Sequence, residues 1–518
     1  MPWDAISASF GLLSWEVFLA LVVGVAVCQV IVAIPGLGGH FVLVMLLPFV
    51  VTLDTMSAVA VLIGASVASG TGNTVTSVLF GIPGSSMGVA SVIDGYPMAK
   101  KGLAGRALAA GFTASMVGGI LGAIGMALVI PIVRPIVLAI GPPEFFILIL
   151  ASVAFIALIG TKDTLRGLIA GLLGLLLTFI GQEPTTAAMR YTFGQIYLWD
   201  GISLVPFLIG LFALSEMIRL IFDRSAISEA QASGKTPKGQ RLDGFLDVFR
   251  HWKATGQSSL VGLGIGLVPG LGGETAQFAA YSWVSRTSRN RKDFGSGSVE
   301  GVIAADAATN SKEGGALIPT LMLGIPGSSG MAILLLILIA VGVQPGRALM
   351  ENNLDLLYVM VWMLVVTSIV ATVICLSATN LLAKVTGLRA SLIVAPVLVI
   401  SFFGAYVTNY HVGDVLVMLA AGFLGYGMER FGYSRNTLVI GFVLGGLLEQ
   451  NFLLSYRLFG FDFLTRPITA TIAVVTILGL GIPLVRALYQ GVRRGRTPAA
   501  VADRAAEQLK EHADDVER

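Results

Sequence analysis

The sequence predicts an all-α polytopic membrane protein with two inverted-topology repeats, re-entrant hairpins and broken helices, plus one extra C-terminal helix. Three observations support this prediction: the small number of charged residues, the long apolar runs and an internal duplication. Of the 518 residues, 55% are hydrophobic and 12% are charged, about half the charged share of a typical soluble protein. Runs such as 17–34 and 354–376 are long enough to cross a bilayer. A soluble protein with large buried helices is the disfavoured alternative.

The duplication rests on four short motifs that recur in the same order. They are IPGLGG and VPGLGG at 34–39 and 268–273, GIPGSS at 81–86 and 324–329, GRAL at 105–108 and 346–349, and AGLLG and AGFLG at 170–174 and 421–425. The spacing between partners drifts little, and the polar segment 285–298 accounts for a small insertion in the second copy.

The duplication and the basic residues together predict the organisation of the chain. In order, we expect a first transmembrane repeat at 1–222, a cytoplasmic connecting loop at 223–254, a second transmembrane repeat at 255–455, an extra C-terminal transmembrane helix at 456–492 and a cytoplasmic tail at 493–518. No Lys or Arg precedes Lys100, whereas the central loop and the tail are rich in both.

This distribution of positive charge predicts the orientation. By the positive-inside rule the central loop and the C-terminus face the cytoplasm, and the N-terminus faces out. The first repeat then crosses an odd number of times, so the second has the opposite orientation, as in many secondary transporters. Reading the basic runs as lipid or nucleic-acid recognition is less favoured, and no nucleic-acid partner is expected.

The two Pro-Gly-Leu-Gly-Gly segments lie between apolar stretches that are too short for two comfortable crossings. Basic residues flank the second segment on both sides, from Lys253 to Arg286 and beyond, which favours a re-entrant hairpin over two crossings. An ordinary tight turn between helices is the alternative. The candidate binding residues at the two tips are Pro35, Gly36, Gly38, Gly39, Pro269, Gly270, Gly272 and Gly273.

Polar residues precede each GIPGSS motif within otherwise apolar surroundings. A backbone that leaves the helix at membrane depth must line a cavity or be buried in protein. Helix N-termini there suit an anion, and freed carbonyl, hydroxyl and amide oxygens suit Na⁺. Kinks and packing glycines without ligand contact are the alternative. The candidates are Asn73, Thr74, Pro83, Gly84, Ser85, Ser86, Thr309, Asn310, Ser311, Pro326, Gly327, Ser328 and Ser329, with a possible Na⁺ near Asn73 and Asn310.

Two adjacent charges, Lys312 and Glu313, stand inside an apolar stretch, where charged residues normally face a cavity or each other. Lys312 either neutralises a substrate carboxylate or forms a local ion pair with Glu313, and both readings stay open. Asp306 is a candidate for holding a cation or a proton. The sequence has no phosphate loop, no catalytic cluster and no metal-ligand spacing, so we expect no enzyme and no cofactor besides a coupling ion.

Several longer motifs carry a resemblance to a known family: DGYPMAKKGLAGRAL at 94–108, FGSGSVEGV at 294–302 and EGGALIPTLMLGIPGSS at 313–329, besides IPGLGG. Through them nearly the whole chain resembles the large membrane subunit (TctA-type) of the tripartite tricarboxylate transporter family. The resemblance implies a bacterial inner-membrane permease that imports a carboxylate by a Na⁺ or H⁺ gradient. It also implies two partners, a small four-helix membrane subunit and a periplasmic solute-binding protein.

The chain departs from that family pattern at two places. The family often has a Glu followed by paired asparagines where this chain has Asp306 and then Thr309–Asn310, and often an Asn where this chain has Gly81. Citrate is therefore not inferred as the substrate, and a dicarboxylate, an aromatic carboxylate or another organic anion remains open. A passive organic-anion channel and a stand-alone carboxylate permease are the alternative functions.

Overall fold

The computed structural model describes residues 9–34, 37–159, 164–183, 186–222, 238–269, 271–385 and 390–477. Helices dominate this part of the chain, and the strands within it are two short ones that pair antiparallel, Gly181–Gln182 with Met189–Arg190. The first-half helices are α1 Trp15–Val32, α2 Gly39–Val50, α3 Thr55–Phe80, α4 Val89–Lys100, α5 Ala104–Ala139, α6 Pro142–Ile159, α7 Thr164–Thr178 and α8 Leu204–Phe222, which includes a π-helical stretch at Ile209–Leu214.

The second half repeats part of this order after a connecting helix. Its helices are α9 Lys238–Arg250, α10 Trp252–Gly266, α11 Gly273–Thr287, α12 Val299–Met322, α13 Ser329–Ala340, α14 Arg347–Asn352, α15 Leu354–Val385, α16 Ala390–Asn409, α17 Val412–Arg430, α18 Arg435–Phe459 and α19 Pro467–Ile477. Short 3₁₀ turns lie at Ser86–Gly88, Ile196–Leu198, Arg291–Asp293 and Gly460–Thr465.

Seven of the described helices are long and apolar enough to cross a membrane: α1, α3, α5, α8, α15, α17 and α18. Six shorter helices are also apolar: α2, α6, α7, α13, α16 and α19. The all-α polytopic class is therefore confirmed. The predicted extra C-terminal helix is described only as far as Ile477, and the predicted cytoplasmic tail lies outside the described residues.

Both halves of the chain use the same order of local elements. In each, a helix leads into Pro-Gly-Leu-Gly-Gly, a second helix follows, and a third helix ends at Gly-Ile-Pro-Gly-Ser-Ser. Gly81 and Gly324 both have φ of +68°, a conformation that costs glycine little and ends a helix. Ser85 and Ser328 are both extended, with φ of −150° and −158°. The orientation of the repeats in a bilayer, and hence their inversion, stays a prediction.

The segment expected to be a connecting loop contains helical structure. Helix α9 lies within 223–254 and packs on α5, where Arg106 Nε and Asp247 Oδ2 form an ion pair at 2.5 Å. Residues 223–237 lie outside the described residues. The basic segment 223–254 therefore contains a helix that packs on α5. It also carries the positive charge from which the orientation is predicted.

Helix α12 occupies the interior, between α5 and α10. Small residues allow this close packing, because a methyl group added at Gly118 or Gly262 would collide with the α12 backbone, and one at Gly122 would lie 2.7 Å from the Ser311 carbonyl oxygen. All residues of α12 from Gly301 to Met322 are buried. The polar residues of α12 are therefore held inside protein, away from any lipid.

Candidate functional site

A small cavity of about 40 Å³ lies where the motifs of the two halves meet. Its lining combines both Pro-Gly-Leu-Gly-Gly segments, helix α3, helix α12 and the start of α13. The residues that line it are Gly39, His40, Leu43, Ser66, Ser69, Met87, Gly272, Gly273, Lys312, Glu313, Ser328 and Gly330.

Three helices begin at this cavity. Gly39 and Gly273 are the first residues of α2 and α11, and neither helix has a side-chain hydrogen bond at its N-cap glycine within the described residues. Helix α13 follows Ser328, whose Oγ accepts a hydrogen bond from the Met331 N–H at 3.4 Å. Each helix N-terminus carries unpaired N–H groups and about half a positive charge, so the cavity is suited to an anion.

A buried ion pair of opposite charges lies in the wall of the cavity. Lys312 Nζ lies 2.7 Å from Glu313 Oε1, and the two side chains are 2% and 5% exposed. The pair predicted as one alternative is therefore present, within α12 and facing the cavity. Because both groups line the same space, the ammonium group also remains within reach of a bound anion.

The structure distributes the candidate residues of the sequence over three environments. Gly39, Gly272, Gly273, Lys312 and Ser328 line the cavity. Gly38 packs beside it, since a methyl group there would lie 3.0 Å from Ser85 Cβ. Five candidates belong to the breaks that adjoin the cavity: Pro83, Gly84, Pro269, Pro326 and Gly327. The described residues do not include Pro35, Gly36 and Gly270, nor the side chains of Ser86 and Ser329.

Three further candidates form hydrogen bonds between helices. Asn310 Nδ2 donates to Thr71 Oγ1 at 2.9 Å, which joins α12 to α3. Ser311 Oγ donates to the Ser259 carbonyl at 2.6 Å, which joins α12 to α10. Thr309 Oγ1 accepts from Gln277 Nε2 at 2.6 Å, which joins α12 to α11. These three residues therefore hold the helices around the cavity in register and do not line it.

Asp306 is buried among hydroxyl groups. Its Oδ1 accepts hydrogen bonds from Thr74 Oγ1 at 3.1 Å and from Ser91 Oγ at 2.9 Å. Its Oδ2 has no hydrogen-bond partner within the described residues, and it faces Gly111, where a methyl group would lie 2.5 Å away. This carboxyl group connects α12 with α3, α4 and α5.

Several residues of the site were not predicted from the sequence. His40 directly follows the first Gly-Gly, and Ser66 and Ser69 lie on α3 two turns and one turn before Asn73. Helical spacing of small polar residues toward Asn73 was the available signal for the two serines. Gln277 lies one turn into α11, and only its contacts reveal its role.

Two motifs of the chain also contact each other beside the site. Asp94 Oδ1 accepts hydrogen bonds from the N–H groups of Gly295, Gly297 and Ser298 at 2.8–2.9 Å. Its Oδ2 accepts from Tyr281 Oη at 2.8 Å. The carboxylate of the DGYPMAKKG segment thereby fixes the FGSGS loop that leads into α12.

A larger cavity of about 480 Å³ opens elsewhere, beyond the end of α12. It touches the second GIPGSS motif only at Gly324, its lining is mainly apolar, and Arg347 at its edge is paired with Glu351 at 2.7 Å. The small cavity is the better candidate, because it alone of these two combines helix N-termini, a buried lysine and both repeated motifs.

Comparison with known proteins gives a family and two relatives. The family model described as "Tripartite tricarboxylate transporter TctA family" matches residues 18–440. The chain is 29% identical over 475 residues, 89% of its length and 92% of the relative's, to an Agrobacterium vitis protein described as "Uncharacterized 52.8 kDa protein in TAR-I ttuC' 3'region". A second protein of that organism, "Uncharacterized protein in TAR-II ttuC' 3'region", is 30% identical over 46% of this chain and 98% of its own length.

No solved structure matches the chain. The family match covers most of the sequence and includes both copies of the Pro-Gly-Leu-Gly-Gly and Gly-Ile-Pro-Gly-Ser-Ser motifs. The family is one of transporter components, and the apolar helices of the structure agree with a multi-pass membrane protein. The chain therefore belongs to the TctA family, the membrane component of tripartite tricarboxylate transporters.

Proposed function

We propose that this chain is the large permease subunit of a binding-protein-dependent secondary transporter that imports a carboxylate using a Na⁺ or H⁺ gradient. The observation that carries the proposal is the meeting of three helix N-termini and Lys312 at one cavity. A carboxylate group suits this cavity, because N–H groups, dipole ends and an ammonium group all favour negative charge.

The size of the cavity supports a moving carrier. At about 40 Å³ it has room for little more than one water molecule, so an organic acid enters only when the surrounding helices separate. The two hairpin tips also differ: a methyl group at Gly38 would contact Ser85, whereas one at Gly272 meets no described atom within 4 Å. If the two halves have opposite orientations in the membrane, each tip could alternate between the packed and the unpacked arrangement. The site would then open to one side of the membrane and to the other in turn.

The family and the charge distribution support a proposal on the partners and the location. We propose that a small four-helix membrane subunit and a periplasmic solute-binding protein complete the transporter in the bacterial inner membrane. The binding protein would deliver the acid to the periplasmic face, where the N-terminus would also lie, and the basic C-terminus would be cytoplasmic. Family membership supports further subunits in general.

The test is uptake into proteoliposomes that contain the chain with its two partner subunits. Labelled citrate, succinate and benzoate are supplied with and without an inward Na⁺ gradient, and separately with a pH gradient. We expect at least one acid to accumulate above its external concentration, only with a cation gradient and only with the binding protein present.

Other outcomes would replace the proposal. Equilibration without accumulation would indicate a passive organic-anion channel, and accumulation without the binding protein would indicate a stand-alone permease. An assembled complex that moves none of the acids under any gradient would contradict carboxylate transport.

A further inference from the structure

Glu313 is the acidic side chain in the described lining of the small cavity, and one neighbour balances its charge. Its Oε1 lies 2.7 Å from Lys312 Nζ, and the two side chains are 5% and 2% exposed. Glu313 forms no other ion pair within the described residues. The remaining ionisable group of the lining is His40, on α2. The charge of this buried carboxylate is therefore balanced by Lys312.

The other charged groups around the cavity lie further from the pair. Asp306 is two turns earlier on α12, where two hydroxyl groups donate hydrogen bonds to it. Glu274, the second residue of α11, is exposed. Arg435 is separated from His40 by Phe212, whose ring centre lies 6.1 Å from the imidazole and 5.7 Å from the guanidinium. The lining residues from α3, from α13 and from the turn before α4 are uncharged.

A substrate carboxylate that binds Lys312 shares the ammonium group with Glu313. Two negative charges then face one positive charge where little water has room, and a buried carboxylate that loses its cation is strongly destabilised. A carboxylate favours its neutral, protonated form when another negative charge approaches and its cation is drawn away. Binding of an acid at Lys312 therefore favours protonation of Glu313.

We infer that Glu313 takes up one proton when the carboxylate of a substrate binds Lys312, which makes H⁺ the coupling ion. The proton comes from water on the side from which the acid enters, and it bonds to a carboxylate oxygen of Glu313. The pair of Lys312 with the substrate replaces the pair with Glu313, so the net charge of the cavity is unchanged. When the acid leaves on the other side, the proton leaves too and the original pair forms again. The inference rests on the proposed function, since it names the ion that drives this uptake.

A proton suits this place better than Na⁺ does. The cavity measures about 40 Å³, and a proton needs no room of its own. A Na⁺ ion at Glu313 would lie beside the ammonium group of Lys312, which repels it. A protonated carboxyl group also needs an acceptor for its O–H, and the hydroxyl groups of Ser66, Ser69 and Ser328 line the same cavity. Ser69 donates its own hydrogen to the Ser66 carbonyl at 2.7 Å, which leaves its lone pairs available.

Asn73 and Asn310 are not part of this exchange, because neither residue lines the cavity. The Na⁺ ion expected near them from the sequence stays a prediction, and the sodium arm of the uptake experiment measures its effect.

Proton uptake by the purified full-length chain in detergent tests the inference directly. Citrate, succinate and benzoate are added in choline chloride, in weak buffer at a pH where all three are ionised. A pH-indicator dye measures the protons taken up, and calorimetry measures binding. For an acid that binds, we expect about one proton per bound molecule and an affinity that falls about tenfold for each unit rise in pH. The sign follows because the bound state holds more protons than the free state, so a higher pH disfavours it.

Glu313→Gln should bind the acid without taking up a proton. The amide keeps the shape of the side chain but has no carboxylate to protonate, so the affinity should lose this dependence on pH. It also competes less for Lys312, so the acid should bind at least as tightly as in the wild type and raise the unfolding temperature more. In proteoliposomes with the partner subunits, this variant should equilibrate the acid without accumulating it. Glu274→Gln, which removes an exposed carboxylate beside the cavity, is the matched control and should keep proton uptake and accumulation.

The failure of this inference is distinguishable from the failure of the proposed function. Binding of an acid to the wild type without proton uptake, or accumulation driven by a Na⁺ gradient alone, would overturn the proton and leave carboxylate transport in place. Loss of proton uptake in Asp306→Asn or His40→Gln, with Glu313→Gln like the wild type, would assign the proton to another group and overturn it too. If Glu313→Gln does not fold, the proton count and pH dependence of the wild type still decide. An assembled complex that neither binds nor moves any of the acids contradicts the proposed function and, with it, this inference.

Discussion

Gln277 donates a hydrogen bond from Nε2 to Thr309 Oγ1 over 2.6 Å, which joins α11 to the buried helix α12. The same amide group donates to the Met87 carbonyl, and its oxygen accepts from the Ala90 N–H at 3.4 Å. Gln277 is fully buried. One side chain of the second half thus contacts the segment that follows the first Gly-Ile-Pro-Gly-Ser-Ser motif. It connects three parts of the structure around the site: α11, α12 and the segment Met87–Ala90.

Replacing Gln277 by Leu should therefore loosen the site. The change leaves the Met87 carbonyl and the Ala90 N–H without this partner, at a cost of about 1–3 kcal/mol for each group that water does not reach. We expect a lower unfolding temperature in detergent and a loss of uptake that exceeds the loss of folded protein. Gln257→Leu is the control, because the partner of Gln257 within the described residues is the exposed Thr287 hydroxyl. Equal effects of the two changes would contradict the linking role.

Gly39 and Gly272, both at helix starts beside the cavity, should differ in their tolerance of alanine. A methyl group at Gly39 would lie 2.5 Å from Ser69 Oγ, whereas one at Gly272 meets no described atom within 4 Å. Neither glycine has a positive φ, so the difference is steric alone. Gly39→Ala should cost about 1–3 kcal/mol of stability and Gly272→Ala much less. Size-exclusion chromatography after heating measures how much of each variant stays folded, and the reverse order would refute the packing described for the start of α2.

Asp94 should control the order of the loop before α12. Asp94→Ala removes the acceptor of three backbone N–H groups and of the Tyr281 hydroxyl, so the FGSGS loop loses its anchor. Arg289, Arg291 and Lys292 are exposed next to it. We expect faster trypsin cleavage there, with Asp293→Ala as the control from the same loop. Unchanged cleavage in Asp94→Ala would show that the loop is held by other contacts.

The fold and part of the site follow from sequence alone, for identifiable physical reasons. Apolar length predicts membrane helices, and the repeated glycines predict the breaks, because Gly81 and Gly324 adopt the same left-handed conformation. The contacts of Asn73 and Asn310 were not predictable: Asn310 Nδ2 donates to Thr71, whereas Asn310 Oδ1 and both polar side-chain atoms of Asn73 have no hydrogen-bond partner within the described residues. Partners of buried polar atoms depend on helix packing, which periodicity does not determine.

Asp306 offers a test of which cation drives transport. Asp306→Asn keeps an oxygen that accepts from Thr74 and Ser91, so we expect it to fold with a loss of no more than about 1 kcal/mol, whereas Asp306→Ala removes both bonds and should cost about 1–3 kcal/mol. If Na⁺ is the coupling ion, Asp306→Asn should keep its Na⁺-dependent uptake. Uptake that loses its dependence on a pH gradient in this variant would instead identify Asp306 as the proton carrier.

The buried pair of Lys312 and Glu313 allows stability and transport to be separated by a double-mutant cycle. Lys312→Met alone leaves Glu313 without its ammonium partner, and Glu313→Gln alone leaves Lys312 without its carboxylate, so each should destabilise by about 3–5 kcal/mol. The double variant contains neither charge and should recover most of that stability. It should nevertheless fail to take up any carboxylate, because the cation facing the cavity is gone.

Unfolding temperatures and uptake measured on the same four proteins complete this cycle. Lys253→Met, which removes an exposed lysine on α10, serves as the control for charge in general. If the double variant is stable and transports normally, Lys312 has only a structural role and the anion is bound by helix N-termini alone. If the double variant is stable and inactive while Lys253→Met is active, the lysine contributes to substrate binding through its charge.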